Sequence, residues 1–312
     1  MKFITILFLA IFSSLAQAEF DVIDVPSENF GCNEKNTGRG DLKPCLLVAH
    51  CMGTEFNHSL QILTLPVDKG GGGVSAHYFI PQMTGREIVE RFPEYVKGQK
   101  LLFPDQVPVF RLVKEEDRAW HAGPSRWGSL NLLPGCAAGL NSCSIGIEFH
   151  SPGYANGDGS NWFAFKSYSE GQIETARELI SDIYRRWNLP KCGFLGHSDL
   201  TPARKTDPGL HFPWERFAAH GFGMWWQPAA EMPEFADSTE ITYVQKKLQT
   251  IGYDCPQTGN LDELTQRTIS AFRMHFMKET WKCSNGQEND GLLNGHIDGD
   301  LIRLLAGYSD RN

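Results

Sequence analysis

The chain has 312 residues, of which 41% are hydrophobic and 21% charged, a composition typical of a globular protein with room for two domains. Its formal net charge of −8 argues against nucleic acid as a partner. The same charge argues against electrostatic adhesion to anionic lipid or teichoic surfaces, so binding to such a surface must rely on shape and hydrogen bonds.

The first residues have the pattern of a secretory signal. Lys2 precedes an apolar stretch over residues 3–12, and Ala16-Gln17-Ala18 is a small-x-small cleavage site. The apolar stretch is too short for a comfortable membrane span. We therefore expect a signal peptide over residues 1–18, export to the periplasm or the medium, and no integral span in the mature chain.

Three apolar runs predict buried strands that carry polar side chains at or near their ends. Residues 46–49 lead into His50, residues 144–149 contain Glu148, and residues 192–195 lead towards His197. Burying a carboxylate such as that of Glu148 is costly unless it has a partner or a task. A structural salt bridge is the alternative explanation for Glu148.

Between the second and third runs the sequence predicts a helix. Ser169 and Gln172 have the spacing of a capping box, apolar residues recur at helical spacing up to Trp187, and Asn188 with Pro190 ends the helix. A strand–helix–strand crossover implies parallel pairing. We therefore expect an α/β fold with a mixed β-sheet flanked by helices.

The loop after the third run, residues 196–209, combines an imidazole, an ammonium and a carboxylate. Lys205 and Asp207 are two residues apart, so an extended backbone would direct both side chains to the same side. A divalent metal such as zinc takes imidazole nitrogen and carboxylate oxygen. His50, His197 and Asp207 would supply three ligands and leave Glu148 as a free carboxylate, the arrangement of a hydrolytic zinc site with one position for water. By itself, the loop is equally consistent with a solvated Lys–Asp pair.

These segments resemble a known family. His50 after its strand, "SIGIEFH" around Glu148 and "GHSDLTPARKTDPG" are similar to the zinc-dependent N-acetylmuramoyl-L-alanine amidases of type 2 (AmiD/AmpD-like). The segments "VSAHYFI" and "AWHAG" also match in order, and the resemblance spans about residues 40–218. It implies that His50, His197 and Asp207 bind Zn²⁺, that Glu148 is the catalytic carboxylate and that Lys205 assists. It also implies that the substrate is peptidoglycan or a muropeptide, cleaved between N-acetylmuramic acid and L-alanine.

Other residues near the matching segments are candidates for a substrate groove. They are Trp120, His121, Arg126 and Trp127. Aromatic faces and guanidinium groups suit contacts with sugar or peptide, and ordinary packing is the alternative. We expect His77, on an apolar strand, to be a hydrogen-bonded structural histidine.

The sequence predicts a zinc amidase domain over residues 19–220, a linker over residues 221–238 and a small three-helix C-terminal domain over residues 239–312. Two of its helices follow a Gly-x-apolar-Asp phrase in which Asp262 and Asp298 cap the helix. The module resembles the peptidoglycan-binding domain of wall hydrolases, and a generic helical stability module is the alternative. Two separate modules would mean that deleting residues 239–312 spares activity on small soluble muropeptides.

Eight cysteines suit an oxidising compartment. Among about 105 possible pairings, local pairing favours Cys32 with Cys45, Cys136 with Cys143 and Cys255 with Cys283, which leaves Cys51 with Cys192.

Three other functions stay open. They are a zinc peptidase that cuts within the stem peptide, a non-catalytic peptidoglycan receptor, and a structural zinc protein with Cys51 as the fourth ligand. The presence of all three predicted ligands disfavours the receptor, and a disulfide at Cys51 would exclude the structural zinc protein.

Overall fold

A computed structural model describes residues 20–31, 38–39, 41–133, 135–151, 167–234, 240–277 and 295–309. The predicted signal peptide, residues 1–18, lies outside these ranges, as do Cys32 and Cys283. The predicted pairs of Cys32 with Cys45 and of Cys255 with Cys283 therefore stay predictions. In the described ranges no helix combines the length and apolar character that crossing a membrane requires.

The centre of the fold is a mixed six-stranded sheet. Its strands are β1 (Val22–Asp24), β2 (Leu46–Met52), β3 (Tyr78–Ile80), β4 (Val109–Arg111), β5 (Ser144–His150) and β6 (Phe194–Gly196). Their order across the sheet is β1-β4-β3-β5-β2-β6. Strand β5 pairs in parallel with β3 and β2, and β2 pairs in parallel with β6, whereas β3 and β4 are antiparallel. The predicted mixed sheet and the parallel pairing are confirmed.

Helices cover the sheet and continue beyond it. They are α1 (Phe56–Thr64), α2 (Gly85–Arg91), α3 (Glu170–Trp187), α4 (His197–Leu200), α5 (Trp214–Ala219), α6 (Glu240–Ile251), α7 (Glu263–Phe276) and α8 (Gly299–Gly307). Short 3₁₀ turns lie at Val67–Lys69, Pro93–Tyr95, Gly128–Leu132 and Leu140–Ser142.

Helix α3 begins and ends where its sequence predicts. Ser169 and Gln172 form the capping box, and Asn188 ends the helix in a left-handed conformation with φ of 50°. The Gln172 amide also donates hydrogen bonds to the carbonyl oxygens of Ile80 (2.9 Å) and His150 (2.8 Å). The start of α3 is therefore attached to the ends of β3 and β5.

The two faces of the sheet bury different helices, because alternate residues of a strand point to opposite faces. Leu47 and Ile147 lie in the apolar core that contains α3 and α5. Leu46 and Val48 lie in a second core, formed with the C-terminal helices around Phe272. The sheet therefore lies between α3 and α5 on one face and α6–α8 on the other.

The C-terminal region has the three predicted helices and both predicted caps. The Asp262 carboxylate accepts from the Thr265 N–H (2.9 Å), and the Asp298 carboxylate accepts from the Leu301 N–H (2.9 Å). Residues in the first part of the predicted linker are packed, since Trp226 is buried and its indole N–H donates to the Leu304 carbonyl (2.7 Å).

Of the predicted disulfides, the pair Cys136–Cys143 is confirmed. The prediction of Cys51 with Cys192 is wrong, because both thiols are free. The register pairs Leu47 with Phe194, which puts Cys192 level with Cys45 at the start of β2. Cys51 lies near the other end of that strand, about 20 Å away at roughly 3.3 Å per residue.

Candidate active site

The carboxyl ends of three parallel strands bring the predicted site residues together. The register pairs His50 of β2 directly with Glu148 of β5. It pairs Ala49 with Gly196 of β6, so that His197 follows at the same edge of the sheet. Clefts at the carboxyl ends of parallel strands are common places for binding sites in α/β proteins.

Two histidines and an aspartate converge at this edge. The Nδ1 atoms of His50 and His197 are 3.0 Å apart, and each is 3.1 Å from Asp207 Oδ2. The side chains of His50 and His197 are 2% and 4% exposed, and that of Asp207 is 14% exposed. The three ligand atoms are close enough to share one metal ion.

The far nitrogens of both imidazoles have hydrogen-bond partners of their own. His197 Nε2 is 3.2 Å from the Ala122 carbonyl, which only accepts, so this nitrogen carries the proton. His50 Nε2 is 3.0 Å from His121 Nδ1, and His121 Nε2 is 3.2 Å from the Ser144 hydroxyl. We assign a proton to Nε2 in all three rings.

This assignment is consistent along the whole chain of contacts, which we call the His121 relay: His50, His121 and Ser144. The relay ends where the Ser144 hydroxyl donates to the Leu140 carbonyl at 2.7 Å. With the protons on Nε2, the Nδ1 lone pairs of His50 and His197 are directed at each other and at the Asp207 carboxylate oxygen. Such an arrangement is repulsive without a cation, and metal-binding histidines commonly donate their other N–H in this way. The residues therefore fit a divalent metal.

A glycine makes room for the relay. Gly146 lies on β5 between Ser144 and Glu148, and a Cβ atom there would lie 2.5 Å from His121 Cγ. The missing side chain lets the imidazole lie directly against the strand. His77 lies nearby, fully buried, with Nδ1 accepting from the Gly146 N–H at 2.9 Å, as expected of a structural histidine.

The protonation states suit metal binding. Burial, with the neighbouring His197, lowers the pKa of His50 to about 4, so this imidazole is neutral at pH 7. Burial alone would raise the pKa of Asp207, but His197 and His50 outweigh burial and hold it well below its usual value. Metal binding requires neutral imidazole and ionised carboxylate.

Glu148 is a buried carboxyl group beside the three ligands. Burial and the nearby Asp207 charge raise its pKa well above the ordinary value, while Lys205 opposes that rise. Its Oε2 atom is buried without a hydrogen-bond partner among the described residues. A buried polar atom without a partner is unusual and is consistent with a site for water or substrate.

The loop that carries Lys205 is tied to the rest of the site. Lys205 is half-buried between α4 and Asp207, and its charge lowers the pKa of both His50 and Glu148. The Ser198 N–H donates to the Asp207 carbonyl at 2.9 Å. The loop is therefore fixed on both sides of Lys205.

The four predicted groove residues are in different environments. His121 is 7% exposed and lies behind His50, and Trp127 is 7% exposed against Tyr253. Residues that are distant in sequence cover most of both side chains, and contact of either one with substrate stays a prediction. Trp120 is half-buried with its indole N–H on the Gly31 carbonyl (2.7 Å), and Arg126 is exposed.

Sequence motifs do not indicate the residues that support the ligands. Ser144 and Gly146 stand in the sequence as ordinary members of an apolar strand. One signal was available at Gly146, since glycine inside a strand often marks a close approach by another group.

Comparisons with known proteins agree with this geometry. A family model described as N-acetylmuramoyl-L-alanine amidase (Amidase_2) matches residues 40–210, which include all four site residues on the sheet edge and loop. The chain is 32% identical to N-acetylmuramoyl-L-alanine amidase AmiD of Escherichia coli over 238 residues, 74% of each protein. It is 28% identical to 1,6-anhydro-N-acetylmuramyl-L-alanine amidase AmpD of Haemophilus influenzae over 162 residues, 51% of this chain and 78% of that one.

Solved structures share the fold over most of the chain. Escherichia coli AmiD in complex with the substrate anhydro-N-acetylmuramic acid-L-Ala-D-gamma-Glu-L-Lys has a TM-score of 0.60 and 26% identity, covering 88% of this chain and 91% of that one. AMPDH3 from Pseudomonas aeruginosa has a TM-score of 0.59 and 26% identity, covering 91% and 96%. The chain belongs to the N-acetylmuramoyl-L-alanine amidase family that the Amidase_2 model describes.

Proposed function

We propose that this protein is a zinc-dependent amidase that hydrolyses the bond between N-acetylmuramic acid and L-alanine in peptidoglycan or its fragments. The observation that carries the proposal is the convergence of His50, His197 and Asp207 next to the buried carboxyl group of Glu148. Family membership supports the bond, because the relatives are named for it.

In this proposal His50, His197 and Asp207 hold Zn²⁺. Zinc in a three-ligand site of this kind activates a water molecule and polarises a carbonyl group. The His121 relay and the Ala122 carbonyl fix the two imidazole rings, so that both Nδ1 atoms keep their positions. Such outer partners set the ring orientation and basicity of the ligands.

Glu148 is the proposed general base and then general acid. It accepts a proton from the attacking water and passes that proton to the leaving amine of L-alanine. A bound divalent cation would offset the Asp207 charge, one of the two causes that raise the pKa of Glu148. The ionised form of Glu148, which a base requires, is then favoured.

Lys205 is the proposed partner of the developing negative charge on the amide carbonyl oxygen. Its half-buried position between α4 and Asp207 directs a positive charge towards the site. A well-placed donor of this kind contributes about 3 to 4 kcal/mol to the stability of a transition state.

The substrate is proposed to extend from the sheet edge over the surface near Arg126. This side chain lines a cavity of about 280 Å³ together with Thr201, Pro202 and Ala203, which directly follow α4. Trp120 stays a second candidate for contact with sugar or peptide. The relative solved with a muropeptide supports this class of ligand.

We also propose that residues 239–312 bind peptidoglycan and that residues 1–18 direct export. The resemblance of this region to the peptidoglycan-binding domain of wall hydrolases supports the first proposal, and the described helices have the Asp262 and Asp298 caps that the matching segments predict. The charge, apolar stretch and small-x-small site of the first residues support the second.

The test is a digest of purified peptidoglycan by the full-length protein, with and without a chelator, followed by mass analysis of the released fragments. We expect intact stem peptides that begin with L-alanine, and no release after chelation. Fragments cut inside the stem peptide would indicate a peptidase instead. Binding without release in the zinc-loaded protein would indicate a receptor.

Replacing the base separates its role from that of a ligand. Glu148→Gln should keep one zinc per chain and lower kcat by a factor of about 10² to 10⁴, the usual contribution of a positioned acid–base group. Glu94→Gln, at an exposed carboxylate, is the matched control and should change neither quantity. Loss of zinc together with activity in Glu148→Gln would make Glu148 a ligand.

A further inference from the structure

Asp199 is a fully buried carboxylate on α4, the four-residue helix that begins with His197. It accepts a hydrogen bond from the Gly196 N–H at 2.7 Å, which joins α4 to the end of β6. Its two other donors come from the C-terminal region. The Tyr253 hydroxyl is 2.6 Å from Oδ1, and His275 Nδ1 is 2.7 Å from Oδ2.

Both C-terminal donors are rigidly held. Tyr253, directly after α6, is 2% exposed and packs edge-to-face on Trp127 with ring centroids 5.0 Å apart. His275 of α7 is stacked between Trp214 and Phe276, with centroids 3.9 Å apart on each side. Neither side chain can turn away without breaking these ring contacts, so the donors are fixed in place.

Helix α4 depends on such external contacts. A helix of one turn has almost no internal hydrogen bonds with which to hold its own conformation. Its last residue, Leu200, belongs to the same apolar core as Leu248 and Phe272 of the C-terminal helices. Its second residue, Ser198, donates to the Asp207 carbonyl at 2.9 Å, so a shift of α4 would move Asp207 as well as His197.

We infer that the C-terminal helices position the candidate metal ligands, with Tyr253 and His275 acting as positioning residues through the carboxylate of Asp199. A buried carboxylate that loses two of its three donors is strongly destabilised and must move towards water. The C-terminal region then has a role in the site that is separate from any binding of peptidoglycan. This differs from the expectation of two independent modules, in which residues 239–312 are dispensable for small substrates.

The inference rests on the proposed metal site only for its functional consequence, and the test separates the two. In the full-length protein without metal, amide hydrogen exchange of residues 196–207 is measured for Tyr253→Phe and His275→Phe. Each variant keeps its aromatic ring and loses the donor to Asp199. Zinc affinity of the same variants is then measured by competition with a chelator.

We expect exchange over residues 196–207 to become about tenfold faster and zinc to bind about tenfold more weakly in both variants. His275→Asn, whose amide N–H replaces that of Nδ1, should recover most of both losses. The control Thr268→Val removes a buried hydroxyl that donates to the Leu264 carbonyl (2.7 Å) within α7 and not to Asp199, and should change neither.

Equal exchange and equal zinc affinity in wild type, Tyr253→Phe and His275→Phe would overturn the inference. A wild-type protein that binds no zinc would overturn the proposed function instead, and the exchange rates would still decide the inference. Equally fast exchange in Thr268→Val would mean that Tyr253 and His275 act only by stabilising the C-terminal helices in general, and would also overturn the inference.

Discussion

Gly146 gives the sharpest test of the His121 relay, because one methyl group there acts on a single neighbour. In Gly146→Ala the new Cβ would lie 2.5 Å from His121 Cγ and 2.7 Å from its Nδ1. Carbon atoms in good contact are about 3.5 Å apart, so the imidazole must move by roughly 1 Å. A displacement of that size disrupts the 3.0 Å contact between His50 Nε2 and His121 Nδ1, because hydrogen bonds tolerate only a few tenths of an ångström and limited misalignment.

Two magnitudes follow from this displacement. Overpacking a core position costs about 1 to 3 kcal/mol of stability, which outweighs the roughly 0.5 to 1 kcal/mol that alanine otherwise gains over glycine in a strand. Loss of an outer partner of a metal-binding histidine costs about 10- to 100-fold in metal affinity. We therefore expect Gly146→Ala to be destabilised without metal and to bind zinc at least about tenfold more weakly.

The assay combines thermal unfolding of the metal-free protein with zinc competition against a chelator. Gly299→Ala is the matched control, because a Cβ there meets only Met232 at 3.9 Å, an ordinary contact. The double variant Gly146→Ala with His121→Ala should bind zinc no more weakly than His121→Ala alone, since the clash is gone. Wild-type zinc affinity in Gly146→Ala, or additive losses in the double variant, would refute the relay.

Three further variants test the ligands, the shared core and one buried ion pair. His197→Ala should lose bound zinc by elemental analysis while His58→Ala, at an exposed histidine, keeps it; equal zinc content in both would remove His197 from the ligand set. Phe272→Ala should cost about 3 to 5 kcal/mol in a single chemical unfolding transition, because Phe272 is fully buried in the core shared with the sheet, and a separate early transition would contradict that core. Glu115→Gln should cost about 1.5 to 3 kcal/mol at pH 7, because burial alone would raise the pKa of Glu115 but hydrogen bonds from Arg186, Trp187 and Tyr78 overcome it and lower that pKa. Because the pKa is lowered in the folded protein, the stabilisation by Glu115 is present above the ordinary pKa of 4.5 and is lost as the pH falls through the folded pKa. A difference in the free energy of unfolding between wild type and Glu115→Gln that persists unchanged at low pH would contradict this.

Much of the site was predictable because its signals are local. Apolar runs ending at His50 and His197 indicate buried strands that open on a cleft, and strand periodicity does not depend on distant partners. The caps at Ser169, Asp262 and Asp298 act within one helical turn, and all three are present. The loop motif predicts Asp207 near His197 because the two are close in sequence, and His197 Nδ1 and Asp207 Oδ2 are 3.1 Å apart.

What the sequence did not indicate concerns residues whose surroundings come from far along the chain. Local pairing of the other six cysteines leaves Cys51 with Cys192, but strand register decides which thiols are level with each other, and it separates these two. The packing of Trp127 against Tyr253, the alternative to a groove position, brings together rings that are far apart in sequence. The position of His121 behind His50 depends on the room that Gly146 leaves on a different strand.

The sequence by itself determined the elements of this protein, the caps of its helices and the chemistry available at the ends of its strands, because each depends on neighbours a few residues apart. Only the tertiary structure decided that Asp199 is shared with Tyr253 and His275, and that α6–α8 complete the core beneath the sheet. Packing between surfaces depends on the shape and register of whole elements, and that information is not carried by any one stretch of residues.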